Sequence, residues 1–359
     1  MKIPITQTKK WQKLQQDLGN KTFFEKKSDF EYLAIEKHTP VGNYLFLPYG
    51  PVAKSDQGFL DAINSLIDLA RNHRCIFIRL EPQDAAYRAL LPMNSKKVKD
   101  VEPAETWVLD LPDISTADPL DDQSIKALLP SRLLRYYKNM AKQGITIEKS
   151  HDPADIHYLV ELQSALAAEK GITTFTADYL KTELEQDFAT LYLLLQHMSP
   201  AMLASTGDAA WGTPTPARVG ENAATGPVEC SDDRTRQDAP SAAGPVETDV
   251  DHVLAAGLVF DDATTRYNLQ GAQSETGRKL HATGILTIEL ILDAVQNGQK
   301  TFDFWGIAPE GAPATHPWAG FTAFKKTFAG REVKYAGTYD LPTDPLRYRL
   351  YQFLRRFRH

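Results

Sequence analysis

Apolar residues recur along the chain with two periods, which predict where helices and strands lie. In residues 59–70 (FLDAINSLIDLA) they return at three- and four-residue intervals, which is typical of an amphipathic helix. Short apolar-rich runs at residues 44–48 and 75–80 predict strands. Residues 122–143 predict a further helix, broken or restarted at Pro130, because proline removes a backbone hydrogen bond in a helix interior.

The same order of elements is predicted twice, with three strands, a helix and another strand in each half of the chain. In the first half these are residues 22–25, 31–36, 44–48, 59–70 and 75–80, and in the second half 189–196, 253–260, 265–272, 278–297 and 301–305. A right-handed crossover places the strand after each helix parallel to a strand of the preceding meander. The pattern therefore predicts an α+β fold with two mixed sheets flanked by helices.

Residues 199–250 interrupt the second pattern with a different composition. They are rich in Ala, Gly, Pro, Thr, Ser and Asp, contain few large apolar residues, and include the sequence GPVE twice. Such a segment buries too little apolar surface to offset the entropy lost on ordering. We predict a disordered insertion within a hairpin of the second half. Either an inactive loop or a partner-binding segment fits this composition.

The overall composition is that of an ordinary soluble globular protein, since 42% of the 359 residues are hydrophobic and 24% are charged. With a net charge of −6, binding of tRNA or anionic lipid would need a local basic patch. The two cysteines, Cys75 and Cys230, are not expected to pair, which fits a reducing compartment. The N-terminus lacks a signal-like apolar region, and no run approaches the ~20 residues of a membrane span. A cytoplasmic location is predicted.

Several signatures of covalent or cofactor chemistry are missing from the sequence. It has no CxxC pair, no HExxH, no GxSxG, no P-loop and no GxGxxG, and its nine histidines show no metal-ligand spacing. No metal or other cofactor is predicted. This pattern favours transfer from an already activated donor, for which positioning and electrostatics supply most of the acceleration.

The segment 301–330 carries the strongest candidate chemistry. A predicted strand ends at Gly306, where glycine allows the chain to turn close to a ligand. The sequence GFTAFKKTFAG then places Phe324, Lys325 and Lys326 beside that turn. A cation next to aromatic faces suits a developing oxyanion or a phosphate-rich substrate. The alternative is an ordinary pair of surface lysines on an amphipathic helix.

Taken in order, these segments resemble the FemABX family of peptidoglycan-bridge aminoacyltransferases, non-ribosomal peptidyltransferases built from tandem acetyltransferase-like (GNAT-like) domains. The matching segments are WQKLQQDLG (11–19), YLFLPYGPV (44–52), FIRLEP (77–82), TWVLDL (106–111), SRLLRYYKNMAKQGITIEKS (131–150), AAGLVF (255–260), RYNLQGAQSE (266–275), KTFDFWGI (300–307) and GFTAFKKTFAG (320–330). The resemblance implies a first, acceptor-binding domain at residues 1–147 plus 338–359. A second domain would span residues 148–337 and carry the 199–250 insertion.

The resemblance also implies the reaction and its partners. An aminoacyl-tRNA would donate an amino acid to the side-chain amine of the third stem-peptide residue, on lipid II or UDP-MurNAc-pentapeptide. The enzyme is expected to be a monomer that needs no cofactor. Phe324 and Lys325 match the family's Phe-Lys pair. Lys325 would then stabilise the oxyanion or contact the tRNA 3′ end, with Lys326 as the alternative.

Five further residues are predicted to bind the acceptor and its diphosphate, as cations or aromatic walls: Trp11, Tyr49, Arg79, Arg135 and Tyr267. Two of them have structural alternatives, Tyr267 as a packed strand tyrosine and Arg135 as part of a solvated helix face. The chain departs from the family pattern at Gln12 and at Ala53, near which members often carry a lysine and an acidic residue, respectively.

Two other functions and one further contact remain open. An acyl-CoA-dependent N-acyltransferase on the same fold would use GRKLHATG (277–284), which opens a helix whose N–H groups suit a pyrophosphate. The second alternative is a non-catalytic tRNA- or lipid-binding protein. Residues 345–359 predict a helix with arginines beside an apolar face. It would dock on the protein or contact tRNA phosphates or the anionic inner membrane surface. The apolar face comprises Leu346, Leu350, Phe353, Leu354 and Phe357.

Overall fold

The computed structural model describes residues 3–114, 116, 118–171, 173–198 and 250–357. The insertion predicted for residues 199–250 lies outside this part of the chain except for Val250, where a strand begins. Cys230 also lies outside it. Among the described helices, none is both long enough and apolar enough to cross a lipid bilayer.

The first sheet has seven strands. They are β1 (Thr22–Lys26), β2 (Phe30–Thr39), β3 (Gly42–Leu47), β4 (Val52–Ala53), β5 (Phe77–Leu80), β6 (Lys96–Lys97) and β14 (Tyr339–Pro342), in the order β1-β2-β3-β5-β14-β6 with β4 paired to β2. Strands β3 and β5 are parallel, as the crossover between them requires, and the other pairs are antiparallel.

The second sheet repeats this arrangement with longer strands. They are β7 (Glu105–Asp110), β8 (Ile145–Ser150), β9 (Ala189–Met198), β10 (Val250–Asp261), β11 (Thr265–Gln273), β12 (Thr301–Gly306) and β13 (Arg331–Lys334), in the order β13-β7-β12-β11-β10-β9-β8. Strands β11 and β12 are parallel and the remaining pairs are antiparallel. The prediction of two mixed sheets flanked by helices is confirmed.

Ten α-helices lie on these sheets within the described residues. They are α1 (Lys9–Asp17), α2 (Asp56–Asn72), α3 (Gln123–Leu128), α4 (Ser131–Asn139), α5 (Ile156–Lys170), α6 (Ala177–Leu184), α7 (Glu275–Lys279), α8 (Ala282–Gln296), α9 (Ala319–Lys325) and α10 (Pro345–Arg355). Helix α2 begins after Ser55, whose hydroxyl accepts from the backbone N–H of Gly58 as an N-cap. The predicted break at Pro130 separates α3 from α4, and His281 in a left-handed conformation separates α7 from α8.

The sheets are joined by a shared buried cluster. Leu14 of α1 and Leu33 of β2 pack with Leu159 of α5 and Phe260 of β10. Each sheet also has its own core, under α2 for the first and under α8 for the second. Because apolar side chains of both halves are buried together, separating the halves would expose apolar surface to water.

Sheet membership divides the chain differently from the predicted domains at one place. Residues 105–147 were expected in the first domain, but β7 lies in the second sheet, and α3 and α4 pack on its core. Strand β12 pairs with β11 on one side only, so its other edge would be exposed without β7. Strand β7 covers that edge by antiparallel pairing. Strand β14, from the end of the chain, covers β5 of the first sheet in the same way.

Helix α10 contacts the protein through its tyrosines. Tyr348 is buried and its ring meets Phe77 edge-to-face at 5.2 Å, while Tyr351 stacks on the same ring. The predicted apolar face points the other way, with Leu346 76% exposed and Phe353 55% exposed. The helix therefore docks on the first sheet through its tyrosines, and its leucine and phenylalanine face is open to solvent.

Candidate active site

The site lies where β12 ends at Gly306 and the chain turns away from the second sheet. A Cβ atom at this position would lie 2.5 Å from Pro103 Cγ and 3.3 Å from the Trp318 ring. Glycine is therefore needed for close approach of Pro103, in the segment before β7, rather than for approach of a ligand, as the sequence suggested. The carbonyl oxygen of Gly306 accepts a hydrogen bond from Nζ of Lys325.

Lys325 is the last residue of α9, and its side chain turns back toward β12. Its Nζ donates to the Gly306 carbonyl oxygen at 2.6 Å and lies 5.2 Å from the centre of the Phe321 ring. Burial lowers the pKa of Lys325 to about 8, and the nearby Asp303 carboxylate opposes this shift. A half-buried ammonium held by one carbonyl can stabilise developing negative charge, because few water molecules screen it.

Phe324 supports this lysine from the core side of α9. Its ring meets Phe328 edge-to-face at 5.6 Å and packs against the core of the second sheet. Part of Phe324 also lines a cavity. Lys326, the predicted alternative cation, points elsewhere, since its Nζ pairs with Glu332 at 3.2 Å and lies over the Trp107 ring.

Two cavities meet at Lys325. The larger, of about 520 Å³, runs along β11 between Asn268 and Gln273 and reaches Thr283 and Thr287 of α8. The smaller, of about 360 Å³, lies between the two halves of the chain. Both are lined by Leu269, Gln270, Phe321 and Lys325. A substrate in either cavity would therefore reach the same ammonium group.

The smaller cavity contains two carboxyl groups that sequence reasoning missed. Glu183 of α6 is 2% exposed, and burial raises its pKa to about 8. Burial, together with the charge of Glu81, raises the pKa of Glu102 to about 8. Trp11, a predicted substrate-binding residue, lines the same cavity, and its buried Nε1 has no hydrogen-bond partner among the described residues.

A third cavity, of about 720 Å³, lies between the GPV turn of the first half and strands β7, β12 and β13. Its charged lining residues include Lys54, Arg331 and Lys334, together with Asp303. Arg331 pairs with Asp110 at 2.8 Å, but both side chains are more than half exposed. Such exposed pairs stabilise a protein by only about 0–1 kcal/mol, so a polyanionic ligand could replace Asp110 as the partner of Arg331 at little cost.

Tyr49 was predicted to bind substrate, but in the structure it contacts Pro103 and Trp305 of the protein. It is 3% exposed, its hydroxyl donates to the Pro103 carbonyl at 2.9 Å, and its ring meets Trp305 edge-to-face at 5.4 Å. Tyr49 and Trp305 both adopt positive φ, at 53° and 63°. Such conformations cost about 1–3 kcal/mol each and persist where packing enforces them. The pair fixes Pro103 and the end of β12 against each other.

Tyr267 and Arg79 were also predicted to bind substrate, but both side chains are buried and paired within the protein. The Tyr267 hydroxyl donates to Asp262 at 2.8 Å and its ring is buried, which is the contact pattern of a packed strand tyrosine. Arg79 is 6% exposed and forms two parallel hydrogen bonds to Asp340 of β14, at 2.7 and 2.8 Å. Its guanidinium group is therefore committed to joining β5 and β14 and is not accessible to a phosphate.

Arg135 is exposed on α4, with its guanidinium 5.8 Å from the Tyr136 ring. This position leaves it able to contact a ligand on the outer surface, so its binding role stays a prediction. Among the described residues, no group of three or more His, Cys, Asp or Glu side chains is placed to hold a metal ion.

The glycines of the predicted pyrophosphate loop serve packing. A Cβ atom at Gly284 would lie 2.6 Å from the Leu133 side chain, and one at Gly277 would lie 2.1 Å from the Leu254 carbonyl oxygen. The backbone N–H of Thr283 already donates to Gln273 at 3.2 Å. These positions are occupied by protein atoms, so they do not form a cradle for a phosphate.

Residues 231–356 match the family model described as the FemAB family. Comparison with curated protein sequences gives no match. Among solved structures, FemX aligns with a TM-score of 0.69 at 15% identity, covering 97% of this chain and 94% of its own. L-PGS from Bacillus licheniformis aligns with a TM-score of 0.50 at 11% identity, covering 99% and 98%.

A tandem GNAT protein from the clavulanic acid biosynthesis pathway is also similar, with a TM-score of 0.45 at 10% identity over 88% of this chain and 79% of its own. At such identities a likeness between structures concerns the fold. The chain therefore resembles the FemABX family, in the sequence of residues 231–356 and in the fold of nearly its whole length.

Proposed function

We propose that the protein is a monomeric aminoacyltransferase that moves an amino acid from aminoacyl-tRNA to the stem-peptide amine of a peptidoglycan precursor, either lipid II or UDP-MurNAc-pentapeptide. The observation that carries this proposal is the half-buried Lys325 ammonium at the junction of two cavities. The FemAB match supports a transferase of this kind.

In the proposed reaction, the acceptor amine attacks the carbonyl carbon of the aminoacyl ester. A tetrahedral intermediate forms, and its oxyanion is stabilised by the Lys325 ammonium. The ester C–O bond then breaks, an amide bond remains, and the proton lost by the amine ends on the ribose hydroxyl that leaves. Because the ester is already activated, charge stabilisation and alignment are the main contributions required of the protein.

We assign the donor ester to the cavity along β11 and the diphosphate of the acceptor to the cleft beside the GPV turn. The β11 cavity contains Phe324 and Lys325 and offers the polar side chains of Asn268 and Thr283. The cleft offers cations for the acceptor's diphosphate, among them Arg331 and Lys334. Asp303 lines this cleft, and its charge acts on Lys325 by opposing the lowering of the lysine pKa. The cleft is therefore close to the β11 cavity, which Lys325 lines.

An acyl-CoA donor is the weaker alternative. A pyrophosphate at the start of α8 would need free backbone N–H groups and space beside the glycines. Gly277 and Gly284 instead face protein atoms closer than 3 Å from a built Cβ. This packing favours the aminoacyl-tRNA donor over the acyl-CoA donor.

We further infer a peripheral contact of α10 with the anionic inner surface of the cytoplasmic membrane. Leu346, Leu350 and Phe353 are exposed on this helix, and Arg347 and Arg355 flank them. An apolar face bordered by arginines suits a surface of anionic lipid headgroups. Phe353→Ser should reduce co-sedimentation with phosphatidylglycerol vesicles, and equal sedimentation of both proteins would refute the contact.

The direct test of the proposed reaction is incubation with total aminoacyl-tRNA and either lipid II or UDP-MurNAc-pentapeptide, followed by mass spectrometry of the acceptor. One acceptor should gain the mass of an amino-acid residue, and deacylated tRNA should give no gain. If neither acceptor gains mass while acetyl-CoA is consumed with an amine, the acyl-CoA alternative replaces the proposal.

A further inference from the structure

The smaller cavity beside Lys325 has unusual walls. Six aromatic side chains line it: Trp11, Phe175, Tyr179, Trp305, Trp318 and Phe321. Phe175 and Phe321 are 51% and 42% exposed, so they border its open side. Trp11 and Glu183 are buried and form its inner end. Aromatic faces around a partly desolvated space attract organic cations.

Glu183, at the inner end, is a buried acid with an unpaired carboxyl oxygen. It lies one helical turn after Tyr179 on α6 and its carboxyl group is hydrogen-bonded to that tyrosine, but its Oε2 atom has no hydrogen-bond partner among the described residues. A buried carboxylate without a compensating charge destabilises a folded protein. Burial therefore raises the pKa of Glu183 to about 8, and this buried carboxyl with one unpaired oxygen at the end of a cavity points to a cationic ligand that would favour its charged form.

Glu102 adds a second carboxyl group from the opposite half of the chain. It is held next to Pro103, which packs on Gly306 and accepts the Tyr49 hydrogen bond. The cavity therefore combines two acids from separate elements, α6 and the segment before β7. Among the described residues that line the cavity, Lys325 is the one with a cationic side chain, and its Nζ donates a hydrogen bond to the Gly306 carbonyl oxygen.

We propose that this cavity binds a primary organic ammonium group, with Glu183 and Glu102 as its charge partners and the aromatic rings as its walls. The inference rests on the proposed function, in which two substrates carry such a group. These are the α-ammonium of the aminoacyl ester and the side-chain ammonium of the acceptor peptide before it loses its proton. The unpartnered Trp11 Nε1–H would donate to a carbonyl or hydroxyl oxygen of the same ligand.

The experiment is a ligand-observed NMR titration of the full chain at pH 7 with three small probes. L-Alaninamide represents the α-ammonium of the donor, Nα-acetyl-L-lysinamide represents the side-chain ammonium of the acceptor, and N-acetyl-L-alaninamide is a neutral control. The wild-type protein should bind one ammonium probe about tenfold or more tightly than the neutral probe, as for hydrogen bonds to charged groups. Whichever ammonium probe binds identifies the substrate that the cavity receives.

Glu183 can lose its proton when an ammonium group lies beside it, whereas a glutamine of the same shape cannot ionise, so Glu183→Gln should abolish this preference. Glu185→Gln is the matched control, because Glu185 is an exposed acid at the end of the same helix. Glu102→Gln should also weaken the preference, and it decides the question if Glu183→Gln fails to fold. The inference is overturned if neither ammonium probe is preferred, or if the folded Glu183→Gln and Glu102→Gln variants keep the preference.

Failure of the proposed function gives a different result. If the wild-type protein transfers no amino acid but the ammonium preference depends on Glu183, the cavity assignment stands and the reaction is wrong. If transfer occurs and Glu183→Gln leaves both KM values and the probe preference unchanged, the reaction stands and the cavity assignment is wrong.

Discussion

Replacing Lys325 with methionine should stabilise the protein while removing its transfer activity. Methionine keeps the length of the side chain and its contact with the Phe321 ring but removes the ammonium group. The folded protein holds this group at a pKa of about 8, against an ordinary value of 10.5 in the unfolded chain. The unfolded chain therefore holds the proton more tightly, and the charged lysine weakens folding at pH 7.

The size of the effect follows from the pKa difference. A fall from 10.5 to about 8 corresponds to a cost of about 3 kcal/mol, which is an upper limit. The substitution also removes the hydrogen bond from Nζ to Gly306, worth about 1 kcal/mol. We therefore expect a gain of about 1–2 kcal/mol in the free energy of unfolding at pH 7. The gain should shrink as the pH rises from 8 toward 10.5, because the wild-type lysine loses its proton.

Urea denaturation at pH 7 and pH 10 measures this gain, and the transfer assay measures the activity. Removing an oxyanion donor lowers the rate about 10²–10³-fold, so Lys325→Met should fall into that range. Lys326→Met is the matched control and should change neither quantity much, since Lys326 is exposed. A destabilised Lys325→Met with full activity would refute the role given to this lysine.

Three other substitutions test the surrounding structure. Gly306→Ala should lower Tm and kcat/KM together by displacing the Glu102–Pro103 segment, whereas Gly320→Ala, with open space at its Cβ, should lower neither. Arg79→Met should reduce the free energy of unfolding in urea by about 3–5 kcal/mol, because it leaves a buried carboxylate unpaired; unchanged stability would contradict a structural role. Glu183→Gln should stabilise the protein increasingly from pH 4.5 to pH 8, the range over which the wild-type folded state keeps a proton that the unfolded chain loses. An equal effect at both pH values would show that the carboxyl is not held protonated.

The repeated order of strands and helices was predictable because it depends on local periodicity. The apolar positions of α2 recur at helical spacing, and those of β5 form a short continuous run. Assignment of β7 to the second sheet was not predictable in this way. Its sequence TWVLDL describes a buried strand equally well in either sheet, and its partner β12 lies almost 200 positions later in the chain.

The site was predictable to a different degree for each residue. Lys325 could be selected because it follows a strand–glycine turn and lies among aromatic residues. Glu102 and Glu183 could not, since a carboxyl group buried by distant elements has no local signature, although the Glu-Pro sequence before a strand marks a constrained position. Arg79 was misassigned because its partner Asp340 is 261 positions away and converts an apparent surface cation into a buried ion pair.

Lys325 is proposed to assist transfer of an amino acid from tRNA to a stem-peptide amine. The most direct measurement uses aminoacyl-tRNA with an isotopically labelled amino acid and locates the label on the acceptor by tandem mass spectrometry. The wild-type protein and Lys326→Met should place the label on the side-chain amine of the third stem-peptide residue, and Lys325→Met should place almost none. A label absent with the wild-type protein, or equally abundant with Lys325→Met, would contradict the account.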